Sequence, residues 1–247
     1  MKTRLFVSGG LGNDRELVLT DDAARYLGRT LRLRPGDRIA VFNGDDGEWA
    51  ATITAIRRND VTLSVDHALD TATESPLKLH LVQGISRGER MDFVVQKATE
   101  LGVKRITPVL TDHGMVKLDD ARAAKRRDHW QRVAISACEQ SGRIRPPLVD
   151  AALPLNHFLG GDGARDSTEL ILTPGARQTL AGVDAPPEKL CLLIGPEGGF
   201  SDREYDDAEL AGFSAVSLGP RILRTETAAV AAITLAQARW GDLGGVT

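Results

Sequence analysis

The spacing of apolar positions divides the chain into two parts. Up to about residue 72, short apolar runs follow closely on one another, separated by Asn, Asp and Gly. Strands are predicted at 4–7, 16–19, 38–42, 49–56 and 61–65, with turns at 43–47 and 59–60. A brief helix opened by an aspartate is predicted over 21–27. Short strands at this spacing predict a small β-barrel. The polar stretch 70–76 ends in Pro76 and reads as a linker.

From residue 77 the pattern changes to an alternation. Strands are predicted at 77–82, 105–110, 169–172, 189–194 and 215–218, and helices at 89–101, 120–140, 202–210 and 225–240. That order predicts an α/β fold with a largely parallel sheet covered by helices. Met91, Val94, Val95, Ala98 and Leu101 form one helical stripe. Ser201 and Glu204 have the spacing of a capping box at the start of a helix.

Composition is that of an ordinary globular protein, 42% apolar and 26% charged. No apolar run reaches the roughly 18 residues of a membrane span, and the first residues lack the apolar core of a signal peptide. A cytoplasmic protein without a membrane partner is therefore expected. Cys138 and Cys191 are expected to be reduced and buried. His67, His80, His113, His129 and His157 have no ligand spacing, so no metal is expected. Trp130 and Trp240 read as packing residues.

The net charge is only −3, but it is unevenly spread. Lys117, Arg122, Lys125, Arg126, Arg127, Arg132, Arg143 and Arg145 face only Asp119, Asp120, Asp128 and Glu139 in the same stretch. Arg25, Arg29, Arg32, Arg34 and Arg38 form a second basic cluster. Local basic patches on a near-neutral chain point to contact with a polyanion, or to solvated helix faces.

Two loops carry the chemistry. Ile194-Gly195-Pro196-Glu197-Gly198-Gly199-Phe200 follows the apolar run 190–193, and Leu218-Gly219-Pro220-Arg221-Ile222-Leu223-Arg224-Thr225-Glu226-Thr227-Ala228 follows 215–217. Each reads as a buried strand that ends in a loop and then opens a helix. Ligands of α/β sheets bind at such strand ends, so the two loops predict one pocket walled by backbone. No lysine follows the glycines as a phosphate loop requires, and a Gly-x-Gly-x-x-Gly fingerprint after the first strand is absent. Glu197 and Glu226 suit a ligand that carries positive charge, although Glu226 also complements a helix dipole.

In these two loops the chain resembles the RsmE family of SPOUT-class RNA methyltransferases. Gln96-Lys97-Ala98-Thr99-Glu100-Leu101-Gly102-Val103 and Glu139-Gln140-Ser141-x-Arg143 support the resemblance, which covers nearly the whole chain and is looser in its first third. It implies S-adenosylmethionine-dependent methylation of N3 of one uridine in 16S ribosomal RNA of the small subunit. It also implies a homodimer, a PUA-like RNA-binding β-barrel domain at 1–72, and a SPOUT domain at 73–247 with a C-terminal trefoil knot that holds the cofactor. Chain statistics alone argue against any knot.

On this resemblance, Leu172, Thr173, Ile194, Gly195, Pro196, Glu197, Gly198, Leu218, Gly219, Ile222, Leu223 and Thr225 are expected to bind the cofactor. Glycines at 195, 198, 199 and 219 would admit close backbone approach, and Ile222 and Leu223 would form an apolar wall. Arg224 is expected to stabilise charge on the uracil oxygens, or to hold a phosphate. Glu139 and Glu197 are candidates for accepting the N3 proton or for orienting Arg143 or Arg224. Arg25, Arg32, Arg87, Lys97, Arg132 and Arg143 are candidate RNA contacts, and Arg90 is a further one. Lys97 with Glu100 equally makes an i,i+3 pair. Two other readings stay open: a SPOUT enzyme methylating tRNA ribose, and a non-catalytic RNA-binding assembly factor.

Overall fold

The computed structural model describes residues 3–114, 120–161, 167–184 and 188–244. Lys117 and Asp119 of the basic stretch lie outside them. The chain forms two compact units, Met1–Glu74 with Cys138–Arg145, and Ser75–Ala137 with Pro146–Thr247.

In the first unit, β1 (Arg4–Phe6), β2 (Glu16–Thr20), β3 (Arg38–Phe42), β4 (Glu48–Ile56) and β5 (Asp60–Leu69) form a sheet in the order β1-β3-β4-β5-β2. β1 runs parallel to β3 and the other pairs are antiparallel. Period-two alternation sends Ile39 and Val41 of β3, and Val61, Leu63 and Val65 of β5, into one core with Leu5 and Leu17. Register shifts after Ala50 and Ile53 bend β4 as β-bulges do.

The helix expected over 21–27 is shorter and differently capped. α1 covers Asp21–Arg25 with Thr20, not the aspartate, at its N-cap. The chain continues as a wider π-turn, Tyr26–Thr30, which seats Leu27 fully buried in the core. Arg143 belongs to this unit and is only 3% exposed. Its guanidinium meets Glu74 at 2.8 Å, and Glu74 also accepts the amides of Ile144 and Arg145.

In the second unit, β6 (Lys78–Gly84), α2 (Arg90–Glu100), β7 (Arg105–Leu110), α3 (Asp120–Ser141), β8 (Leu148–Val149), β9 (Leu153–Pro154), α4 (Leu155–Leu159), β10 (Thr168–Leu172), α5 (Asp202–Leu210), β12 (Ser214–Val216) and α6 (Thr225–Trp240) surround the central strand β11 (Lys189–Ile194). Through Ala137, α3 belongs to this unit. The order is β12-β10-β11-β6-β7-β8, with β9 also on β7, and every recorded pair is parallel.

Alternation along β11 builds two cores. Leu190, Leu192 and Ile194 join one cluster with Met91, Val95, Trp130, Ala232 and Ile233. Cys191 and Leu193 join the other with Leu155, Phe200, Ala208 and Phe213. Helices therefore cover both faces, as the sheet's continuous apolar strands require. β8, β9 and α4 were not among the expected elements, because two-residue strands beside a proline leave no periodic signal.

Neither cysteine is in a disulfide, and both are buried. Desolvation pushes the Cys138 thiol up to about 12, so it stays protonated near neutral pH.

Candidate functional site

Parallel strands bring their carboxyl ends to one edge of the sheet. Leu172, Val216, Ile194 and Gly84 are therefore neighbours, although they are far apart in sequence. The loops leaving β10, β11 and β12 enclose a cavity of about 480 Å³ at that edge, lined wholly by residues of the second unit.

Of the expected cofactor residues, Leu172, Thr173, Ile194, Gly195, Pro196, Glu197, Leu218, Gly219, Ile222, Leu223 and Thr225 line this cavity. Gly198 does not line it. The cavity also gathers Arg90, Pro174, Phe200, Tyr205, Arg221 and Glu226. Phe200 and Tyr205 meet edge to face at 5.5 Å between centroids. An aromatic residue in the otherwise acidic segment 202–210 was the available signal for Tyr205. Ile222 lines the cavity from an exposed loop position, at 86% exposure.

Hydrogen bonds fix the loop after β11. Thr225 Oγ1 donates to the Gly195 carbonyl at 2.7 Å and accepts from Gln83 Nε2 at 3.0 Å. This ties the ends of β6 and β11 to the first turn of α6. The contact is close: a Cβ on Gly84 would stand 2.5 Å from the Pro196 ring. On the other side, Glu197 accepts Arg90 Nη1 at 2.5 Å and the Arg87 amide at 3.1 Å. Burial pushes the Glu197 carboxyl upward, but hydrogen bonds from its own amide, Arg90 and Arg87, with the Arg90 charge, outweigh it and hold the group below its ordinary value. Glu197 is thus a paired, weakly basic carboxylate, and it does not orient Arg143 or Arg224.

Arg224 occupies the exposed N-cap position of α6 without a side-chain capping bond. Among the described residues its guanidinium has no hydrogen-bond or ion-pair partner. Glu226 Oε2, in the adjoining turn, is buried without a hydrogen-bond partner among the described residues. A cationic guanidinium at the positive end of a helix is electrostatically unfavourable, so local folding energy does not account for Arg224.

The remaining expected residues are spread out. Glu139 belongs to the first unit and accepts the Phe6 amide at 3.0 Å; burial pushes its carboxyl up, against the Phe6 bond and the Arg4 charge. Arg25, Arg32, Arg87 and Arg132 are exposed, with Arg25 beside Asp22. Lys97 bonds Glu100 at 2.8 Å, which is the i,i+3 pair. Arg143 is buried on Glu74, so its charge is spent within the fold. Trp130 is 2% exposed and donates to Asp92. Among the described residues, no group of three or more His, Cys, Asp or Glu is placed to hold a metal.

A parallel sheet whose C-terminal loops wall a small-molecule cavity, preceded in the chain by a small β-rich unit, is the architecture of a SPOUT-like methyltransferase with a PUA-like domain. The profile of the RNA methyltransferase domain matches residues 73–237, and that of the RNA methyltransferase PUA domain matches residues 19–66. The chain belongs to the ribosomal RNA small subunit methyltransferase E family. The protein of that name from Buchnera aphidicola subsp. Schizaphis graminum is 34% identical over 97% of each chain. The Bacillus subtilis protein of that name is 29% identical over 87% of each. Among solved structures, the Neisseria gonorrhoeae protein of the same name, bound to S-adenosylmethionine, is 39% identical with a TM-score of 0.90, over 97% of this chain and 98% of its own. A Legionella pneumophila methyltransferase with S-adenosylmethionine bound is 40% identical with a TM-score of 0.91, over 98% of this chain and 99% of its own.

Proposed function

We propose that the protein methylates N3 of one uridine in 16S ribosomal RNA of the small subunit, with S-adenosylmethionine as donor. The observation that carries this reading is the strand-end cavity, walled by backbone and apolar side chains and flanked by Arg224, whose guanidinium has no partner among the described residues. Its volume lies in the range of about 300–1,000 Å³ usual for such ligands. The residues present fit a cationic, adenine-bearing cofactor. Leu172, Leu218 and Leu223 offer apolar surface, the loop backbone offers donors and acceptors, and the orphaned Glu226 oxygen offers negative charge. When bound, the cofactor supplies a methyl group activated by its sulfonium.

This chain's own residues do the rest. The Thr225 and Gln83 bonds keep the loop backbone fixed, which preserves the geometry that positioning catalysis depends on. Arg224 faces negative charge as it builds on the uracil oxygens while N3 loses its proton. The low basicity of Glu197 supports a role in holding Arg90 and the loop rather than in taking that proton.

In this reading, residues 73–247 carry the chemistry, with the C-terminal trefoil knot around the cofactor, and 1–72 engage RNA. The segment after β12 runs beside the one after β10: Ser217 exchanges backbone bonds with Gln178 and Leu180, while β12 pairs with β10. The exposed Arg25, Arg32, Arg87 and Arg132 are proposed phosphate contacts, and exposed bases are the usual targets of specific RNA recognition. A homodimer belongs to the same proposal, supported by the exposed apolar side chains Phe93 on α2 and Leu235 on α6. No helix of the described residues is long and apolar enough to cross a membrane; a cytoplasmic location follows from the proposed substrate.

Calorimetry and a turnover assay test the proposal together. Wild type binds S-adenosylmethionine and methylates unmodified small subunits, whereas Arg224→Ala still binds it but turns over about a hundredfold more slowly. Absence of binding heat at high cofactor concentration favours a non-catalytic RNA-binding factor. Unchanged turnover in a folded Arg224→Ala variant removes Arg224 from the mechanism.

A further inference from the structure

The loop 195–201 has two sides. Gly195, Pro196, Glu197 and Gly199 face the cavity, while Gly198 turns away from it. Behind Gly198 lies the segment that leaves β7. A Cβ on Gly198 would stand 2.9 Å from His113 Cβ and 3.1 Å from the His113 carbonyl, so only glycine lets the two backbones touch.

The contact is also bonded. His113 Nδ1 lies 3.1 Å from the Gly198 carbonyl oxygen, so Nδ1 carries the proton and donates. One residue earlier, the Asp112 amide donates to Glu204 Oε1 at 2.8 Å, and Ser201 Oγ donates to Asp112 Oδ2 at 2.8 Å. Glu204 therefore does two things at once. Its Oε2 closes the capping box on the Ser201 amide at 2.8 Å, and its Oε1 holds the segment after β7, some ninety residues away.

We infer that His113, with Asp112 behind it, is a positioning residue for cofactor binding, holding the cavity loop from its far side. The inference rests on the assignment of the cavity to S-adenosylmethionine. A loop that reads its ligand through backbone groups has no side chain with which to adjust, so its affinity depends on where the backbone is held. Gln83 and Thr225 hold its start, Arg90 holds Glu197, and His113 holds the next carbonyl. His113 is exposed, so its side chain adds little to the buried core.

The test compares wild type, His113→Ala and His113→Asn by calorimetry with S-adenosylmethionine, steady-state methylation of small subunits and thermal unfolding. Alanine removes the donor, whereas asparagine places an amide nitrogen where Nδ1 stood. The expected result is a dissociation constant raised about fivefold in His113→Ala, the loss of about one hydrogen bond. KM for the cofactor rises with it, kcat at saturation stays within about twofold, the unfolding midpoint is unchanged, and His113→Asn recovers wild-type affinity. Wild-type affinity in His113→Ala overturns the inference, as does equal weakening in both variants, or a fall in kcat with KM unchanged. Failure of wild type itself to bind overturns the cofactor assignment instead.

Discussion

Gly84, the last residue of β6, packs so closely on Pro196 that a Cβ there would stand 2.5 Å from the proline ring nitrogen. Both atoms at that contact belong to constrained chain, a strand end and a ring, so neither yields cheaply. Gly84→Ala is expected to push the cavity loop outward. The protein loses about 1–3 kcal/mol of stability, as overpacked sites do, and S-adenosylmethionine affinity falls at least tenfold. Chemical denaturation and calorimetry measure the two effects separately.

Thr225 is 5% exposed, and its hydroxyl joins Gly195 to Gln83. Thr225→Val keeps the shape but leaves both partners buried without that bond. The expected cost is about 1–3 kcal/mol, with weaker cofactor binding. Thr225→Ser keeps the hydroxyl and stays near wild type in both denaturation and titration.

The Arg90–Glu197 pair is partly exposed, with side chains at 45% and 33%. As an exposed pair it adds little to global stability, so Arg90→Ala should unfold within a few degrees of wild type. Its effect is on the loop. The Glu197 carboxyl is held below its ordinary 4.5, so the contribution of the pair is present above about pH 4.5 and is lost as pH falls through the lower folded value. Cofactor affinity of wild type should stay level from pH 7 to 5 and then drop, while Arg90→Ala starts weaker and shows a smaller drop. Titrations across that range provide the check.

Glu139 has the opposite sign. Burial raises its carboxyl, so the ionised form is the costly one in the folded protein. The penalty is absent below the unfolded value near 4.5 and grows as pH rises through the folded one. Glu139→Gln keeps an acceptor for the Phe6 amide and removes the charge. It should match wild type near pH 4 and be the more stable of the two at pH 7, as read from unfolding midpoints at both values.

Much of the second unit was legible in the sequence because its elements are long and strongly patterned. The ranges 105–110 and 189–194, and the helices 202–210 and 225–240, match the observed β7, β11, α5 and α6 residue for residue. The cavity was legible for a different reason. Gly and Pro punctuate both loops directly after buried strands, and strand ends converge in a parallel sheet. What the sequence hid is pairing between distant positions. Nothing local to Arg90 points to Glu197, nothing local to His113 points to Gly198, and nothing local to Arg143 shows that Glu74 buries it. Residues 26–30 also escaped, because a π-turn has no pattern that separates it from an α-helix until Leu27 finds its place in the core.

The central claim is a methyl group delivered to N3 of a single uridine of 16S ribosomal RNA from the cavity at the ends of β10, β11 and β12. The direct measurement uses small subunits lacking their own modification, incubated with the protein and methyl-labelled S-adenosylmethionine, followed by nuclease digestion and mass spectrometry of the RNA. The account predicts label on one nucleoside, N3-methyluridine, in 16S RNA, and its near-disappearance with Arg224→Ala. Label on a ribose oxygen, on another base, or on no nucleotide while the cofactor is bound would contradict it.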